Sequence, residues 1–423
     1  MTSVLYISHT GLLEPLGESQ VFQYLRRLAA GHRITLLTFE KLKNLSDRAR
    51  LAAMEAKCAE AGIAWHRKVW HSRPAPFATL WDVAVGARAA TALARDVAAD
   101  VLHCRSYVAS LMGLMVKRAT GAKLVFDMRG FWPDERADAG QWSRSGFIYK
   151  AVKRIEKALF SNADYVVSLT RAGVREFEQF DYLAGKHPPS SVIPTCTNLD
   201  LFRPTERPKG PFTIGYVGSI GTWYLFDQVA QAVARLLSGD DEARFLVINH
   251  GGHEKIVEAL DKVGVHRSRV EIRSCSYHEV GEQIRRMDAG IFFIMPTWSK
   301  RASCPTRMGE FLASGLPCLA NTGVGDVAED LSDTNTGIVL PVDEQGQVEM
   351  SGIDDGIARL RSLVADPGTR ARCRQAAEKL FSLETGVAEY DRIYRKLAVR
   401  EGASDPRVLA SHSPTRTKAS PPQ

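Results

Sequence analysis

The sequence lacks the cysteine pattern of a disulfide-stabilised or zinc-binding protein. Its seven cysteines, at positions 58, 104, 196, 275, 304, 318 and 373, form no C-x-x-C pair. An odd and scattered set of this kind is typical of free thiols in a reducing compartment. We therefore expect neither a disulfide framework nor a metal site.

Long uncharged apolar runs are also absent. No segment reaches the roughly 18 residues that indicate a membrane-spanning helix, and the run Val108–Val116 is too short. The first ten residues, MTSVLYISHT, have no basic region and start directly as a strand, which argues against a signal peptide. These absences predict a cytoplasmic protein.

Motifs for nucleic-acid and redox-dinucleotide binding are missing as well. The net charge is +7, but the basic residues are not interleaved with aromatic residues in an RNA- or DNA-binding pattern. The G-x-G-x-x-G spacing of a dehydrogenase is absent from SHTGLLEPLGESQ and from GYVGSIGTWY. We expect no nucleic-acid partner. The positive charge leaves two interpretations open: a solvated surface with a basic tail, or attraction to anionic lipid or phosphate-bearing substrates.

What the sequence does contain is a regular alternation of short apolar strands and amphipathic helices. The alternation is interrupted by the proline-containing segment NLDLFRPTERPKGP and then restarts. Such a pattern predicts an α/β protein with doubly wound parallel sheets, here in two Rossmann-like domains. We expect these domains at 1–197 and 212–382, a linker at 198–211, a C-terminal helix at 383–400 and a disordered tail at 401–423.

The segment Thr297–Pro317 combines a cationic, hydroxyl-rich turn with the start of a helix. It follows an apolar run, Ala289–Met295, that predicts a buried strand. Backbone N–H groups at a helix start bind phosphate, and the carboxylate of Glu310 can accept hydrogen bonds from a sugar diol. The segment therefore predicts a nucleotide or nucleotide-sugar site, with a solvated basic loop as the alternative. The expected contact residues are Lys300, Ser303, Thr306, Arg307 and Glu310, with Arg301 as a further cation.

Other candidate site residues lie after predicted strands. Gly218 and Ser219 belong to a glycine-punctuated loop where the backbone can approach a phosphate closely, although a plain turn is the alternative. Arg105 ends a predicted parallel strand and so faces the crevice where such sheets bind ligands. Asp127 and Arg129 follow the next strand, within a run of acids beside aromatic residues that favours a sugar site over a simple salt bridge.

The architecture and these motifs resemble the retaining glycosyltransferases of family 4, also called group 1, which have the GT-B arrangement of two facing Rossmann-like domains. The resemblance covers about residues 3–400, and the run DMRGFWPDE resembles bacterial polysaccharide-biosynthesis members. It implies that the first domain binds an acceptor, that the second binds a nucleotide-sugar, and that the C-terminal helix packs back on the first domain. Gly17 matches the glycine loop that follows the family's first strand, where it would let the backbone approach a donor phosphate or an acceptor sugar; a glycine at a helix start is the alternative.

The resemblance also implies a reaction. A UDP- or GDP-sugar would donate a sugar to a saccharide or lipid-linked saccharide, with retention and without metal. Arg105, Asp127 and Arg129 are then the expected catalytic residues. The family's E-x7-E motif is half present, because Glu310 matches its second glutamate while Ala302 replaces the first. Arg105 likewise stands where relatives carry the second histidine of H-x-H.

The sequence leaves two other functions open, and it also leaves open whether the protein binds a membrane. The missing glutamate and histidine are compatible with a non-catalytic GT-B subunit of a glycosyltransferase complex, and the fold also occurs in nucleotide-sugar epimerases. The segment SRSGFIYKAVKRIEKALF predicts an amphipathic basic helix. Such a helix either packs on a sheet with its basic face in water or docks on anionic lipid at the inner face of the cell membrane.

Overall fold

The computed structural model describes residues 1–74, 77–205 and 210–399. The tail predicted at 401–423, and residues 206–209 of the predicted linker, lie outside the described residues.

The first sheet is formed by seven parallel strands in the order β3-β2-β1-β4-β5-β6-β7. They are β1 (Thr2–Ser8), β2 (His32–Glu40), β3 (Ala64–Val69), β4 (Val101–Arg105), β5 (Lys123–Asp127), β6 (Tyr165–Ser168) and β7 (Ser190–Val192). The α-helices of this half are α1 (Pro15–Gly17), α2 (Gln23–Leu28), α3 (Leu42–Leu45), α4 (Arg48–Glu60), α5 (Phe77–Asp96), α6 (Ser106–Thr120), α7 (Trp132–Asp138), α8 (Phe147–Asn162) and α9 (Arg171–Glu178).

The second sheet has six parallel strands in the order β10-β9-β8-β11-β12-β13. They are β8 (Thr213–Val217), β9 (Arg244–Ile248), β10 (Val270–Arg273), β11 (Ala289–Ile291), β12 (Cys318–Asn321) and β13 (Gly337–Leu340). The helices are α10 (Phe226–Ser238), α11 (His253–Lys262), α12 (Tyr277–Ile284), α13 (Thr306–Ala313), α14 (Val327–Asp333), α15 (Ile353–Ala365), α16 (Thr369–Leu380) and α17 (Leu383–Ala398).

Each sheet is buried on both faces, which explains why its strands consist of nearly continuous apolar runs. The strands β1, β6 and β8 are buried along their whole length. Helices cover the two faces and bury separate apolar clusters on each side of each sheet. The predicted α/β architecture of two Rossmann-like domains is confirmed.

The last helix returns to the first domain, as the resemblance implied. Helix α17 contacts α2, β1 and β4, and its residues Tyr390, Ile393 and Tyr394 are buried in the core on that face. The burial of these large side chains contributes on the order of 1.5–3 kcal/mol each. Helix α17 therefore closes the first sheet, although it follows the second domain in sequence.

The apolar run Ala289–Met295 forms a shorter strand than predicted, since β11 ends at Ile291. The backbone of Ile294 is instead held by the side chain of Asn321, which accepts from the Ile294 N–H at 2.8 Å and donates to the Ile294 carbonyl at 2.9 Å. The Leu225 N–H donates to the Phe293 carbonyl. These bonds end the strand ladder early and turn the chain toward the following loop.

In the part of the chain that the structure describes, no helix combines the length and apolarity needed to cross a bilayer.

Candidate active site

The strand order of the second sheet reverses between β8 and β11, and the predicted nucleotide residues meet at this point. Gly218 follows β8, and helix α13 lies beyond β11 along the chain. In open parallel sheets, ligands bind at the carboxyl ends of the strands where the order reverses. The fold therefore places the two segments that the sequence singled out, GYVGSIGTWY and Thr297–Pro317, at one crevice.

Gly218 and Arg307 are in close contact. Gly218 has a φ of +112°, a conformation that L side chains rarely adopt. A Cβ atom there would lie 2.5 Å from Nη2 of Arg307. The glycine thus leaves room for the guanidinium, which lies over the rings of Tyr216 and Tyr224 at 4.8 and 4.3 Å from their centroids.

Arg307 is a buried cation with unused hydrogen-bonding capacity. The residue is only 6% exposed, and its Nη1 has no hydrogen-bond partner among the described residues. Buried charged groups are normally paired or hydrogen-bonded. An anionic ligand bound beside Gly218 would supply what Arg307 lacks.

Glu310 lies one helical turn after Arg307 and is also buried. Burial raises the pKa of its carboxyl to about 7, an effect that the positive charge of Arg307 partly opposes. A carboxyl group in this state either donates or accepts a hydrogen bond near neutral pH. It can therefore bind a hydroxyl group of a ligand in either protonation state.

Helix α13 begins at Thr306 without a side-chain cap and without an acidic residue in its first turn. Its first N–H groups and the positive end of its dipole are thus free of a protein carboxylate. Ser219 is exposed in the adjacent loop, where its carbonyl accepts from the hydroxyl of Tyr216. Thr306 and Ser219 remain predicted contacts.

Lys300 differs from the expectation of a free phosphate-binding cation. Its Nζ lies 2.9 Å from Oε1 of Glu135, on helix α7 of the first domain, and 3.9 Å from the centroid of the Trp223 ring. The Ser303 hydroxyl lies 3.5 Å from the same carboxylate oxygen. Both predicted contact residues are therefore engaged with Glu135 across the two domains.

The remainder of this loop is also an interface between the domains. Arg301 pairs with Glu176, which also accepts from the indole N–H of Trp298 at 2.7 Å. The Trp298 ring stacks on Phe131 with centroids 4.5 Å apart. Phe131, one of the aromatic residues beside the predicted sugar site, is thus covered by protein.

Asp127 is buried in a network of side chains on the first domain. Its carboxylate lies 3.3 Å from the hydroxyl of Tyr390, 3.5 Å from Nε2 of His103 and 3.8 Å from Nη1 of Arg129. Burial opposes the charged form, but Arg129 and His103 hold the pKa of the Asp127 carboxyl below its usual value. This placement supports a structural role for Asp127; its predicted catalytic role stays a prediction.

The two predicted arginines of the first domain differ in their surroundings. Arg129 has a φ of +59° and faces Asp127. The Arg105 side chain forms no hydrogen bond or ion pair with any described residue, and its Nε is buried without a partner. Burial and the neighbouring charge of Arg129 lower the pKa of the Arg105 guanidinium. Arg129 thus has a carboxylate beside it, whereas the Arg105 guanidinium has no ion-pair partner among the described residues and is available to an anionic ligand.

Gly17 has a local packing explanation. A Cβ atom at this position would lie 2.1 Å from the carbonyl oxygen of Gly11 and 2.7 Å from Cα of Leu12. The glycine is therefore required where two segments of the same loop cross. Its predicted role in ligand binding stays a prediction.

Sequence reasoning missed several residues that surround these candidate site residues. Tyr216 and Tyr224 hold Arg307, and Glu135 holds Lys300. On the first domain, His9 directly follows β1 and was overlooked, although the strand-end argument used for Arg105 applies equally to it.

Comparison with known proteins supports the class of fold and of enzyme. Residues 19–189 match the family described as Glycosyl transferase 4-like domain. No curated protein sequence matches the chain.

Solved structures with low sequence identity share the fold over almost the whole chain. Sucrose-phosphate synthase from Thermosynechococcus elongatus is 14% identical, covers 94% of this chain and 99% of its own, and has a TM-score of 0.68. A glycosyltransferase from Rickettsia africae is 14% identical with the same coverages and a TM-score of 0.67. The HepE protein of Anabaena, in complex with UDP and glucose, is 12% identical, covers 94% of this chain and 100% of its own, and has a TM-score of 0.66.

The fold is therefore GT-B, and a stretch of its first domain, residues 19–189, matches the glycosyl transferase 4-like domain. Together, the domain match and the fold support a glycosyltransferase, which is the enzyme class that the sequence predicted.

Proposed function

We propose that the protein transfers a sugar from a nucleoside-diphosphate sugar to a saccharide or lipid-linked saccharide acceptor. The observation that carries this proposal is the pair Arg307 and Glu310, which are buried side by side where the strand order of the second sheet reverses. The Arg307 guanidinium and the uncapped start of α13 suit a diphosphate, while Glu310 suits the hydroxyls of a ribose. The structure of the similar HepE protein contains UDP-glucose.

The proposed chemistry depends on charge stabilisation. When the bond between the sugar and the diphosphate breaks, negative charge grows on the phosphate oxygens. Arg307 and the N–H groups of α13 would stabilise that charge and so lower the barrier. Retention, bacterial polysaccharide biosynthesis as the pathway, and a UDP or GDP donor are parts of this proposal that rest on the family resemblance.

The proposal is tested with the full chain and a panel of UDP- and GDP-sugars. We expect one nucleotide to raise the thermal midpoint and to compete with its own sugar conjugate. We also expect nucleoside diphosphate to be released only when a suitable acceptor is present. Binding without release across the acceptor panel would favour a non-catalytic subunit, and isomerisation of the donor alone would indicate an epimerase.

Peripheral membrane association is a further part of the proposal. At the start of helix α8, Phe147 and Ile148 are 82% and 40% exposed. Lys150, Arg154 and Lys157 are exposed on the same helix, whereas Lys153 pairs with Asp134. Exposed apolar side chains close to exposed cations suit the surface of an anionic membrane, where a lipid-linked acceptor would be located.

A further inference from the structure

A second crevice is present where the strand order of the first sheet reverses, between β1 and β4. His9 follows β1, and Arg105 ends β4 opposite Ser8. Both line a cavity of about 390 Å³. The wall also contains Ser106, whose φ of +67° is unusual for a residue other than glycine. A strained residue and a partly buried arginine at the switch point of a parallel sheet are features of a ligand site.

Two histidines in this wall are held by one buried carboxylate. Oδ2 of Asp82 lies 3.1 Å from Nε2 of His9, and Oδ1 of Asp82 lies 2.6 Å from Nδ1 of His71. The backbone N–H of His71 also donates to Asp82. Asp82 is 1% exposed, so both rings are fixed in place. Their other ring nitrogens are left to interact with the cavity.

The cavity has an excess of positive charge. Lys41 is balanced by Glu14, whose Oε2 lies 2.8 Å from its Nζ. Arg105 has no acidic partner within ion-pair distance among the described residues, and neither has Arg136, whose Nη1 donates to the amide oxygen of Gln141. Asp82 is already shared by the two histidines. Two guanidinium groups are thus available to an anion.

Two tryptophan side chains provide apolar faces in the wall of this cavity. Trp70 and Trp132 are half-buried in its wall. The guanidinium of Arg136 lies 5.8 Å from the centroid of the Trp132 ring. Aromatic faces cover the C–H surface of a sugar, whereas a small inorganic anion needs none. The combination of guanidinium, imidazole and indole groups therefore matches a sugar that carries an oxyanion.

We propose that this cavity binds the acceptor and selects a sugar bearing a phosphate or carboxylate group, with Arg105 and Arg136 holding the oxyanion and His9 and His71 contacting the sugar hydroxyls. The proposal rests on the transfer reaction proposed above, and it names the class of acceptor. Arg105 then acts as a binding residue for the acceptor.

The test is a calorimetric titration of the full chain, saturated with UDP so that the donor crevice is occupied. The probes are glucose 1-phosphate, glucuronic acid and neutral methyl α-glucoside. We expect at least one of the two anionic sugars to bind about tenfold or more tightly than methyl α-glucoside, and the stronger of the two identifies the oxyanion. Equal binding of all three sugars, or no binding, overturns the proposal.

Variants test whether the anionic sugar binds in this cavity. Arg105→Gln and Arg136→Gln should each remove most of the preference for the anionic sugar. Arg118→Gln, which changes an exposed charge on α6 outside the cavity, should leave it intact. Arg136 is exposed, so its variant carries the test even where Arg105→Gln fails to fold. A preference that survives in folded Arg136→Gln overturns the proposal.

Failure of the donor proposal can be distinguished from failure of the acceptor cavity. If UDP does not bind, the titrations are repeated without UDP in Arg307→Gln. An anionic sugar that still binds, and loses its preference in Arg136→Gln, supports the cavity while the donor proposal falls. Loss of binding in Arg307→Gln alone would place the sugar phosphate in the donor crevice and overturn the acceptor site.

Discussion

Nζ of Lys300 lies 2.9 Å from Oε1 of Glu135 and joins the loop before helix α13 to helix α7 of the other domain. The Lys300 side chain is 9% exposed and that of Glu135 is 25% exposed, so the lysine charge is largely withdrawn from water and the carboxylate partly so. A buried lysine without its carboxylate would be costly. The pair therefore couples the loop before α13 to the first domain. It leaves Arg307, in the first turn of α13, as the neighbouring cation without an ion-pair partner among the described residues.

The first prediction distinguishes the role of Arg307 from that of Lys300. Arg307→Gln should weaken binding of the nucleoside diphosphate about tenfold to a hundredfold, because a charge-assisted contact to phosphate is lost. Lys300→Met should change that affinity by less than about threefold and should mainly lower the thermal midpoint. Calorimetric titration and thermal unfolding of both variants measure these effects. Equal losses of affinity would return Lys300 to the phosphate site.

The second prediction concerns the contact between Gly218 and Arg307. Gly218→Ala adds a Cβ atom 2.5 Å from the guanidinium, whereas Gly221, with a φ of +102°, has nothing within 4 Å of the corresponding position. Gly218→Ala and the control Gly221→Ala should each strain the backbone by about 1–2 kcal/mol. Only Gly218→Ala should also weaken nucleotide binding. Comparable affinities in the two variants, measured by titration, would show that the contact is unimportant for the ligand.

The third prediction follows from the buried carboxyl of Glu310. Its pKa is raised from 4.5 to about 7, so the folded state binds the proton more tightly than the unfolded state. The contribution of this carboxyl to stability is therefore most favourable below about pH 4.5, declines as pH rises to about 7, and has lost nearly all its value above that. Glu310→Gln should stabilise the ligand-free protein at pH 8 by up to about 3 kcal/mol, and by less than about 1 kcal/mol at pH 5.

The same variant should lose nucleotide affinity at pH 8, because a glutamine side chain cannot provide a charged acceptor to a ribose hydroxyl. Thermal unfolding at the two pH values and a UDP titration measure both effects. A Glu310→Gln protein that is no more stable at pH 8 would mean that another group satisfies the carboxylate. Unchanged UDP affinity would remove Glu310 from the donor site.

The fourth prediction tests whether Asp127 is structural. Tyr390→Phe removes a hydroxyl 3.3 Å from its carboxylate and leaves a buried charge with one donor fewer. We expect a loss of about 1–2 kcal/mol in stability, seen as a lower thermal midpoint. The turnover number at a temperature where the variant is folded should stay within about twofold. A large fall in turnover without a change in midpoint would instead favour the predicted catalytic role.

The fifth prediction concerns helix α8. A Phe147→Ser, Ile148→Ser double variant should bind anionic phospholipid vesicles several-fold more weakly than the unaltered protein, since it loses exposed apolar contacts. Met115→Ser is the matched control, because Met115 is 45% exposed on helix α6. Vesicle sedimentation measures the bound fraction. If the unaltered protein fails to sediment with anionic vesicles, the membrane proposal is wrong.

Local sequence signals predicted the elements well, because most of them depend on neighbouring residues. The apolar stretches of β1 and β8 and the periodicity of α10 are readable without tertiary contacts. The strand predicted at Ala289–Met295 was too long, because Asn321, which holds the Ile294 backbone, is distant in sequence. The segment Glu18–Phe22 forms a π-helix, which no local pattern of residues indicated.

The candidate site was predictable in part. Sequence reasoning named Gly218 from a glycine loop, and Arg307 and Glu310 from a cationic turn before a helix. In the structure Gly218 contacts Arg307, and Glu310 lies one turn further along α13. Sequence reasoning could not assign partners to charged residues, since a lysine beside a cleft looks the same whether it faces phosphate or carboxylate. Glu135, 165 residues away in the chain, decides the matter for Lys300.

By itself, the sequence determined the class of fold, because alternating strands and helices can bury their apolar faces in only a few ways. It also placed glycines and cations at the strand ends where ligands bind. The tertiary structure decided which of those charges are already neutralised: Lys300 by Glu135, and Asp127 by the network beneath helix α17. Ion pairing depends on distances of a few ångströms between segments far apart in the chain, and only the packed fold fixes these distances.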